Sequence, residues 1–340
     1  MTAQPRVSVL TATYNGERFL AQAIESILAQ TWRDFEYILV DDASQDRTPE
    51  ILARYAALDD RIVRVRCESN LGPNRALNRA LETARGEFVA ILDHDDLAMP
   101  ERLAKQVEFL EAHPQVSVVG SAVIRIGAEG EELSRFSMPL EPNKIRWDML
   151  FGASVQHSAA CMRRALVMQV GGYSRQHRYA TDYELYSRLI RQSEIANLPD
   201  FLVCYRANEA QTSRAYWRIQ RGEVLLLLYA MYKQRLGIQV RLEELDSVYC
   251  AFRGSASDNP ASVIPAASLL ELMYRRYLEV EAPDEAMRDY IRRNCAFTLV
   301  KLAHANRETL GECYAELLER ASRIDSEVLT RPKVLELLNK

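Results

Sequence analysis

Short apolar runs and longer amphipathic stretches alternate over the first hundred residues. Each run is rich in Val, Ile, Leu and Phe, which is typical of a strand buried on both faces of a parallel sheet. The runs lie at residues 7–12, 35–40, 62–65 and 88–92. Apolar residues at helical spacing separate them, and we expect Gly86 to cap the third helix, over 74–84. The alternation predicts parallel strands joined by right-handed crossover helices.

The pattern is mixed after residue 100 and purely helical after residue 215. Its middle part predicts a helix over 100–112, a strand over 116–126, a hairpin or loop over 127–140 and a short helix over 142–150. A strand over 158–162, a helix from Thr181 and two short strands over 195–198 and 201–205 are predicted to follow. We therefore predict an α/β domain over 1–214, with a mostly parallel mixed sheet flanked by helices. An all-helical C-terminal region follows over 215–340.

Composition narrows the class of protein without changing this picture. The 340 residues are 48% hydrophobic and 26% charged, as in soluble globular proteins. A net charge of −4 argues against a nucleic-acid partner, because such a partner needs a basic surface. The six cysteines are scattered without a C-x-x-C pair, which suits a reducing compartment. No apolar run reaches the length of a membrane span, so we expect a cytoplasmic protein, with peripheral contact at the inner face of the membrane left open.

The candidate chemistry lies where two apolar runs end. The segment DHDD, residues 93–96, follows the fourth run, and the acid pair DD, residues 41–42, follows the second. Ligands bind at the carboxyl ends of the strands in open α/β sheets. Three carboxylates within four positions repel one another unless a cation lies among them. Mg²⁺ and Mn²⁺ prefer such oxygen ligands and often also hold a substrate phosphate, so the pattern predicts a site for a divalent cation and a nucleotide.

Three segments together resemble the inverting family 2 glycosyltransferases of GT-A fold. They are VSVLTATYNGERFLAQAIESILAQTWRDFEYILVDDASQDRT, NLGPNRALNRALETARGEFVAILDHDD and the later VGGY…TDYELYSRL, in the family's order and spacing over residues 6–213. The resemblance implies transfer of a sugar from a nucleotide-diphospho-sugar, a UDP-sugar by preference, with Mn²⁺ or Mg²⁺ bridging the diphosphate. The acceptor would be a hydroxyl of a cell-surface glycan or of a lipid-linked glycan.

The resemblance also implies roles for single residues. Asp182 would be the general base, Asp95 the direct metal ligand, and Asp93 a second acid beside the metal or the ribose. Asp42 would contact the base of the nucleotide, and Tyr14 would flank it. Further contacts with the nucleotide are expected at Thr11, Ala12, Asn78, Asp93 and His94.

Two helix starts bear on these residues. Thr181 is expected near the N-cap of its helix, and the helix N-terminus would lower the pKa of Asp182 and keep its carboxylate ionised. Asp96 is expected to cap the helix that starts at Pro100 and to take no direct part in the chemistry.

The chain departs from the family pattern at three positions. Thr181 precedes the expected base where an acid is common, and Leu77 stands where an Arg is common. Asn208 replaces a histidine that could touch the diphosphate or the metal, and His157 or Gln211 could compensate for it. The chain has no Gln-x-x-Arg-Trp, the signature of processive synthases, which favours addition of one sugar or a few.

Other functions stay open at this point. A non-catalytic nucleotide-sugar-binding or scaffold protein would bind nucleotide with metal and show no turnover. An assembly module would act through the C-terminal helices, where aromatic and basic residues near Tyr232 and Tyr277 suit a membrane surface, an acceptor with a lipid phosphate, a homo-oligomer or plain packing. A sugar-1-phosphate nucleotidyltransferase is disfavoured, because the segment TATYNG after the first strand carries no basic residue.

Overall fold

The computed structural model describes residues 4–207 and 216–339. The expectations for Asn208 and Gln211 lie outside these residues. The chain forms two compact units. The first unit runs to Arg146 and resumes over Ala153–Arg221, and the second combines Trp147–Gly152 with the chain from Gly222 onward.

Strands and helices alternate in the first unit as the sequence predicts up to the fourth strand. In chain order they are β1 Val7–Thr13, α1 Leu20–Leu28, β2 Phe35–Asp41, α2 Thr48–Leu58, β3 Ile62–Arg66, α3 Pro73–Thr83 and β4 Phe88–Ile91. They continue with β5 Leu97–Ala98, α4 Arg102–Ala112, β6 Val116–Ile126, β7 Glu132–Phe136, α5 Pro142–Asp148, a 3₁₀ turn His157–Ala159, β8 Cys161–Arg163, α6 Arg164–Gln169, α7 Thr181–Leu189 and β9 Glu194–Arg206.

The strands form one mixed sheet in the order β3-β2-β1-β4-β8-β6-β9-β5, with β7 paired to β6. The first four strands of this order are parallel to one another. β8 runs antiparallel between β4 and β6, and β6 and β9 are again parallel. This arrangement confirms the predicted α/β class with a mixed sheet and flanking helices. It also brings the carboxyl ends of β1, β2 and β4 to one edge of the sheet, where ligands bind in such folds.

Apolar burial explains why these segments take up their secondary structure. All seven residues of β2 are buried, which is what the continuous apolar run requires of a central strand. α1 buries Leu20, Ala23, Ile24 and Ile27, which recur at helical spacing and pack on the sheet. The pattern therefore selects both the type of each element and the face that it turns to the core.

Two local predictions are wrong. Gly86 does not cap α3, because the helix ends at Thr83 and Ala84 is already extended. The two short strands predicted over 195–205 are one strand, β9, whose register against β6 shifts between Ser121 and Val123. Such irregularities let a long strand bend without ending, and they leave a break in the apolar pattern that looks like a gap between strands.

The second unit consists of helices. They are α8 Trp217–Met231 with a π-turn Tyr232–Leu236, α9 Leu242–Phe252, a 3₁₀ turn Pro260–Ser262, α10 Val263–Glu281, α11 Glu285–Ala305, α12 Arg307–Leu310, α13 Cys313–Ile324, a 3₁₀ turn Val328–Thr330 and α14 Pro332–Leu338. Trp147 is fully buried in this unit and packs edge-on against Phe151 and Tyr277. Its indole N–H donates to the Asn294 side chain at 2.9 Å.

Two tyrosines of the second unit, Tyr232 and Tyr277, are packing residues, whereas Lys233 and Arg275 beside them are exposed. Tyr277 is 2% exposed, and Tyr232 is fully buried and donates its hydroxyl to the Leu150 carbonyl at 2.8 Å. Neither ring is therefore open to a membrane surface. Within residues 4–207 and 216–339 we find no helix with the length and hydrophobicity of a membrane span.

Gly86 offers a test of how closely β1 and β4 approach. A Cβ at Gly86 would lie 2.5 Å from the backbone nitrogen of Ser8 and 2.7 Å from the carbonyl carbon of Val7, and these backbone atoms cannot move aside. We expect Gly86→Ala to lower the free energy of unfolding by about 3 kcal/mol, seen as a lower melting temperature. The matched control is Gly222→Ala in α8, where the space around the new Cβ is open and a gain of about 0.5–1 kcal/mol is expected. An unchanged melting temperature for Gly86→Ala would contradict this account.

Candidate active site

A tight turn of acids, residues 93–96, follows β4 and is called the acid turn here. The backbone N–H of Asp96 donates to the carbonyl of Asp93 at 3.1 Å, which closes the turn. The Asp93 side chain is 41% exposed, Asp95 is likewise partly exposed, and Asp96 is buried. The turn therefore points some of its carboxylates toward solvent and one into the protein.

Arg206, at the end of β9, is buried and holds the acid turn from one side. Its backbone N–H donates to the Asp96 carboxylate at 2.7 Å, and its guanidinium donates to the Asp95 carbonyl at 2.8 Å. The same guanidinium reaches the carbonyl of Ala128 and the side chain of Gln22, each at 2.8 Å. One cation thus ties the acid turn to α1 and to the β6–β7 connection.

Asp96 does not cap a helix, contrary to the prediction. α4 begins at Arg102 with Glu101 at its N-cap, and Asp96 instead accepts the backbone N–H of Arg206. Burial, together with the negative charges of Asp95 and Asp93, raises the pKa of Asp96 well above its usual value. The shift follows from the placement of a third carboxylate behind the other two.

Arg102 lies behind the acid turn and is fully buried. Its guanidinium donates to the carbonyls of Ile91 at 2.7 Å and Ala160 at 3.2 Å, and to the Gln106 side chain at 3.1 Å. Burial lowers the pKa of Arg102 to about 10, although nearby groups, Asp96 among them, favour its charge. The sequence analysis missed this residue. The available signal was Arg102 and Gln106 at a four-residue spacing, next to the apolar residues of α4.

His157 links Asp93 to Tyr173. Its Nδ1 lies 3.2 Å from Oδ1 of Asp93, and its Nε2 lies 3.2 Å from the Tyr173 hydroxyl. The hydroxyl of the next residue, Ser158, accepts the backbone N–H of Asp93 at 3.1 Å. Burial disfavours the charged forms of both Asp93 and His157, but the interaction between the two side chains outweighs it. The pKa of His157 is therefore raised, and the pKa of Asp93 is lowered to about 2. His157 was noted from the sequence only as a substitute for a missing histidine.

Asp182 lies in the first turn of α7 and belongs to the same cluster of charges. The N-cap is Ala180, so Thr181 is the first helical residue and not the cap. Burial raises the pKa of Asp182, although the charge of His157 and the backbone N–H of Tyr183, which donates to its carboxylate at 2.7 Å, act in the opposite direction. The expected lowering by the helix N-terminus is therefore wrong, because burial dominates.

The end of β1 contributes one buried and one exposed candidate. Thr11 is fully buried, and its hydroxyl donates to the Leu92 carbonyl at 2.6 Å and lies 3.0 Å from the hydroxyl of Tyr37. Its side chain joins β1 to the residue after β4, and contact of Thr11 with a nucleotide stays a prediction. Ala12 is half-buried, and Tyr14 is 43% exposed on the loop after β1.

His94 packs against the loop after β1. A Cβ placed on Gly16 would lie 2.8 Å from Cδ2 of His94 and 2.4 Å from the hydroxyl oxygen of Thr13. Only a glycine leaves room for the histidine ring at this point. The acid turn and the β1 loop, which the sequence predicted to meet at one sheet edge, are therefore in direct contact.

Asp42 anchors the turn before α3. It is 3% exposed, and its two carboxylate oxygens accept the backbone N–H groups of Leu71 at 2.8 Å and Gly72 at 2.9 Å. An open cleft of about 640 Å³ lies beside it, lined by Ala43, Ser44, Gln45, Arg66, Cys67 and Glu68. The cleft occupies the carboxyl ends of β2 and β3, beside the predicted base contact.

Asn78 binds backbone and not the acid turn. Its amide group accepts the N–H of Tyr173 at 2.9 Å and donates to the carbonyl of the same residue at 2.8 Å. The expected contact with a nucleotide has no support from this geometry. Asn78 instead fixes the backbone of the residue whose hydroxyl meets His157.

Comparisons with known proteins agree with this geometry. The family model described as glycosyl transferase family 2 matches residues 8–171. The putative glycosyltransferase EpsE of Bacillus subtilis is 38% identical over 268 residues, which cover 78% of this chain and 93% of EpsE. The amylovoran biosynthesis glycosyltransferase AmsE of Erwinia amylovora is 35% identical over 224 residues, or 64% of this chain and 83% of AmsE.

Two solved structures share the fold at low sequence identity. S. aureus TarS in complex with UDP-GlcNAc has a TM-score of 0.57 and 17% identity, covering 96% of this chain and 92% of that one. The mannosyltransferase PcManGT of Pyrobaculum calidifontis, in complex with GDP-Man and Mn²⁺, has a TM-score of 0.54 and 21% identity, and the match covers 96% of this chain and 88% of PcManGT. The chain therefore belongs to glycosyltransferase family 2, and it is a glycosyltransferase with a GT-A-like fold.

Proposed function

We propose that this protein transfers a sugar from a nucleotide-diphospho-sugar to an acceptor hydroxyl, with inversion and with the help of a divalent cation. The observation that carries the proposal is the convergence of Asp93 and Asp182 on His157. These residues come from the end of β4, from α7 and from a 3₁₀ turn. Asp93 bonds to His157, and the charge of Asp182 acts on the pKa of the same ring. Two carboxylates whose pKa values are shifted in opposite directions, that of Asp93 downward and that of Asp182 upward, suit metal binding and proton removal.

The donor is proposed to lie across the carboxyl ends of β1 and β2, within the predicted domain 1–214. Tyr14 is exposed there and could flank the base. The oxygens of Asp42 each accept one backbone N–H and retain further lone pairs, which match the N–H group of uracil. A UDP-sugar is our first candidate for this reason, and the donors seen with TarS and PcManGT, UDP-GlcNAc and GDP-Man, are the probes to try.

A divalent cation fits the acid turn on chemical grounds. In the described residues, no three His, Cys, Asp or Glu side chains form a complete cage for a metal ion. Mg²⁺ and Mn²⁺ need no such cage, since they commonly take one or two protein carboxylates and complete their shell with substrate phosphates and water. We propose Asp95 as the direct ligand and Asp93 as the second acid. When bound, the cation neutralises charge on the leaving diphosphate.

Asp182 is the proposed general base. An acceptor hydroxyl is a poor nucleophile until a positioned carboxylate takes its proton during attack. Burial raises the pKa of Asp182, which makes its carboxylate a stronger base than an exposed one. Attack opposite the leaving diphosphate in a single displacement would invert the configuration at the anomeric carbon.

The acceptor is proposed to be a glycan of the cell surface or a lipid-linked precursor of one. The support is the names of relatives, which refer to biosynthesis of amylovoran and of teichuronic acid. The helical region 215–340 is proposed to serve the acceptor, a membrane surface or an oligomer, and a truncation series tested for each would separate these roles.

The first test is the melting temperature with nucleotide and metal. UDP with Mn²⁺, at a hundredfold excess over its dissociation constant, should raise it by roughly 5–10 °C, because a ligand of the native state stabilises that state. We expect Asp95→Asn to abolish the part of this rise in melting temperature that depends on Mn²⁺. The control is Asp60→Asn, an exposed acid between α2 and β3. GDP, TDP and CDP complete the panel, and the absence of any shift with all four diphosphates would refute the donor proposal.

The second test separates binding from chemistry. Asp182→Asn keeps the shape of the side chain but removes the base, so we expect kcat to fall by about a hundredfold or more. The dissociation constant of UDP in the presence of Mn²⁺, measured by calorimetry, should stay within about twofold of the wild-type value. The readout is release of nucleoside diphosphate from the donor selected by the first test. If Asp182→Asn turns over like wild type, Asp182 is not the base. If wild type itself binds nucleotide and releases none, the non-catalytic alternative gains support.

A further inference from the structure

Asn74, in the first turn of α3, is a buried amide whose two N–H groups and oxygen all make hydrogen bonds. Its Nδ2 donates to the carbonyl of Ser174 at 2.7 Å and to the carbonyl of His177. Its Oδ1 accepts the hydroxyl of Thr181 at 2.8 Å. The side chain is 6% exposed. A buried amide with three such hydrogen bonds favours one arrangement of the segments that it joins.

Asn78 extends the same contact by one helical turn. Residues four apart lie on one face of a helix, so Asn74 and Asn78 face the same stretch of chain. Asn78 pairs with both backbone polar groups of Tyr173. Together the two amides attach residues 173–181, the connection that leads into α7, to α3. This segment ends immediately before Asp182.

α3 is itself fixed at the donor side. The N–H groups of Leu71 and Gly72 donate to Asp42, so the start of the helix is bound to the carboxyl end of β2. Asn74 follows within the first turn of the helix. Asp42, the proposed contact to the nucleotide base, and Thr181 are thus joined by two sets of partly buried hydrogen bonds and the first turn of α3.

We propose that Asn74 and Thr181 are a pair of positioning residues that set the place of Asp182 relative to the bound donor. The proposal rests on the proposed role of Asp182 as base. It assigns Asn74 to the side of the site that holds the proposed base, although no sequence pattern singled this residue out. It also gives Thr181 a function, at a position where the family pattern often has an acid.

The donor and acceptor roles within this pair cannot be exchanged. If the Asn74 amide were rotated by half a turn, its oxygen would face the carbonyl oxygens of Ser174 and His177. Acceptor would then face acceptor at both contacts, with no hydrogen between them. The oxygen must therefore face residue 181, which must supply a hydrogen. A threonine hydroxyl does so, whereas an ionised glutamate at 181 would place two further acceptors there. The pair accounts for Thr181 in place of the acid.

The test uses two substitutions at residue 181 and one matched control. Thr181→Val keeps the shape and removes the hydroxyl, whereas Thr181→Ser keeps the hydroxyl. Thr83→Val, on the same α3, removes a hydroxyl whose hydrogen bond is to Arg79 within the helix. The full-length protein is measured for hydrogen exchange of its backbone amides, for binding of UDP with Mn²⁺, and for hydrolysis of UDP-GlcNAc or GDP-mannose, whichever it turns over.

Thr181→Val should speed amide exchange across residues 174–183 and lower kcat by roughly tenfold to a hundredfold, the effect of a small displacement of a reacting group. UDP affinity should stay within about twofold, and Thr181→Ser and Thr83→Val should resemble wild type. Thr181→Glu, which restores the acid of the family pattern, should lose activity.

The proposal is overturned if Thr181→Val leaves exchange over 174–183 unchanged, if Thr181→Ser loses as much activity as Thr181→Val, or if Thr181→Glu gains activity. Its failure can be told from failure of the proposed base. If Asp182→Asn retains turnover, the base assignment falls, while the exchange measurement still decides whether Asn74 and Thr181 hold the segment.

Discussion

The acid turn imposes the main physical constraint on the first unit, because it holds three carboxylates within four positions at the end of a buried strand. Charges of one sign at such a place are stable only if cations or hydrogen-bond donors approach them. Arg206 reaches the turn from β9, the charge of Arg102 interacts with those of Asp96 and Asp93, and His157 pairs with Asp93 from the 3₁₀ turn. Even so, Asp96 keeps a raised pKa. The positions of β9, α4 and the 3₁₀ turn are all tied to this one feature.

This constraint divides the carboxylates by task. Asp96 is committed to the backbone of Arg206 and is a structural residue. Asp93 is 41% exposed and stays accessible at the sheet edge, while Asp182 belongs to a different element and has a pKa raised by burial. Groups of the same chemical type thus acquire different properties from their surroundings, as the proposed roles of cation ligand and general base require.

The proposed donor side and the proposed base are connected through α3. Asp42 fixes the start of the helix, and Asn74 and Asn78 fix the chain that leads into α7. Both ends of this connection are partly buried hydrogen bonds, which are sensitive to small displacements because an unpaired polar group inside a protein is costly. The second unit has its own core around Trp147 and its own helices, and its part in the reaction remains a proposal.

The sequence by itself determined the order and type of the elements up to β4, the mixed α/β class and the family, because apolar periodicity and turn residues act locally and the motifs stand in register along the chain. It also marked Asp93, Asp95 and Asp182 as the residues to examine. It misjudged Asp96, whose partner Arg206 is distant in the chain. Only the tertiary structure decided this case, and it alone revealed Arg102 and Asn74 as buried hydrogen-bonding centres. The physical reason is that burial and pairing with remote groups set the pKa and the availability of a side chain, and neither property is encoded in the residues next to it.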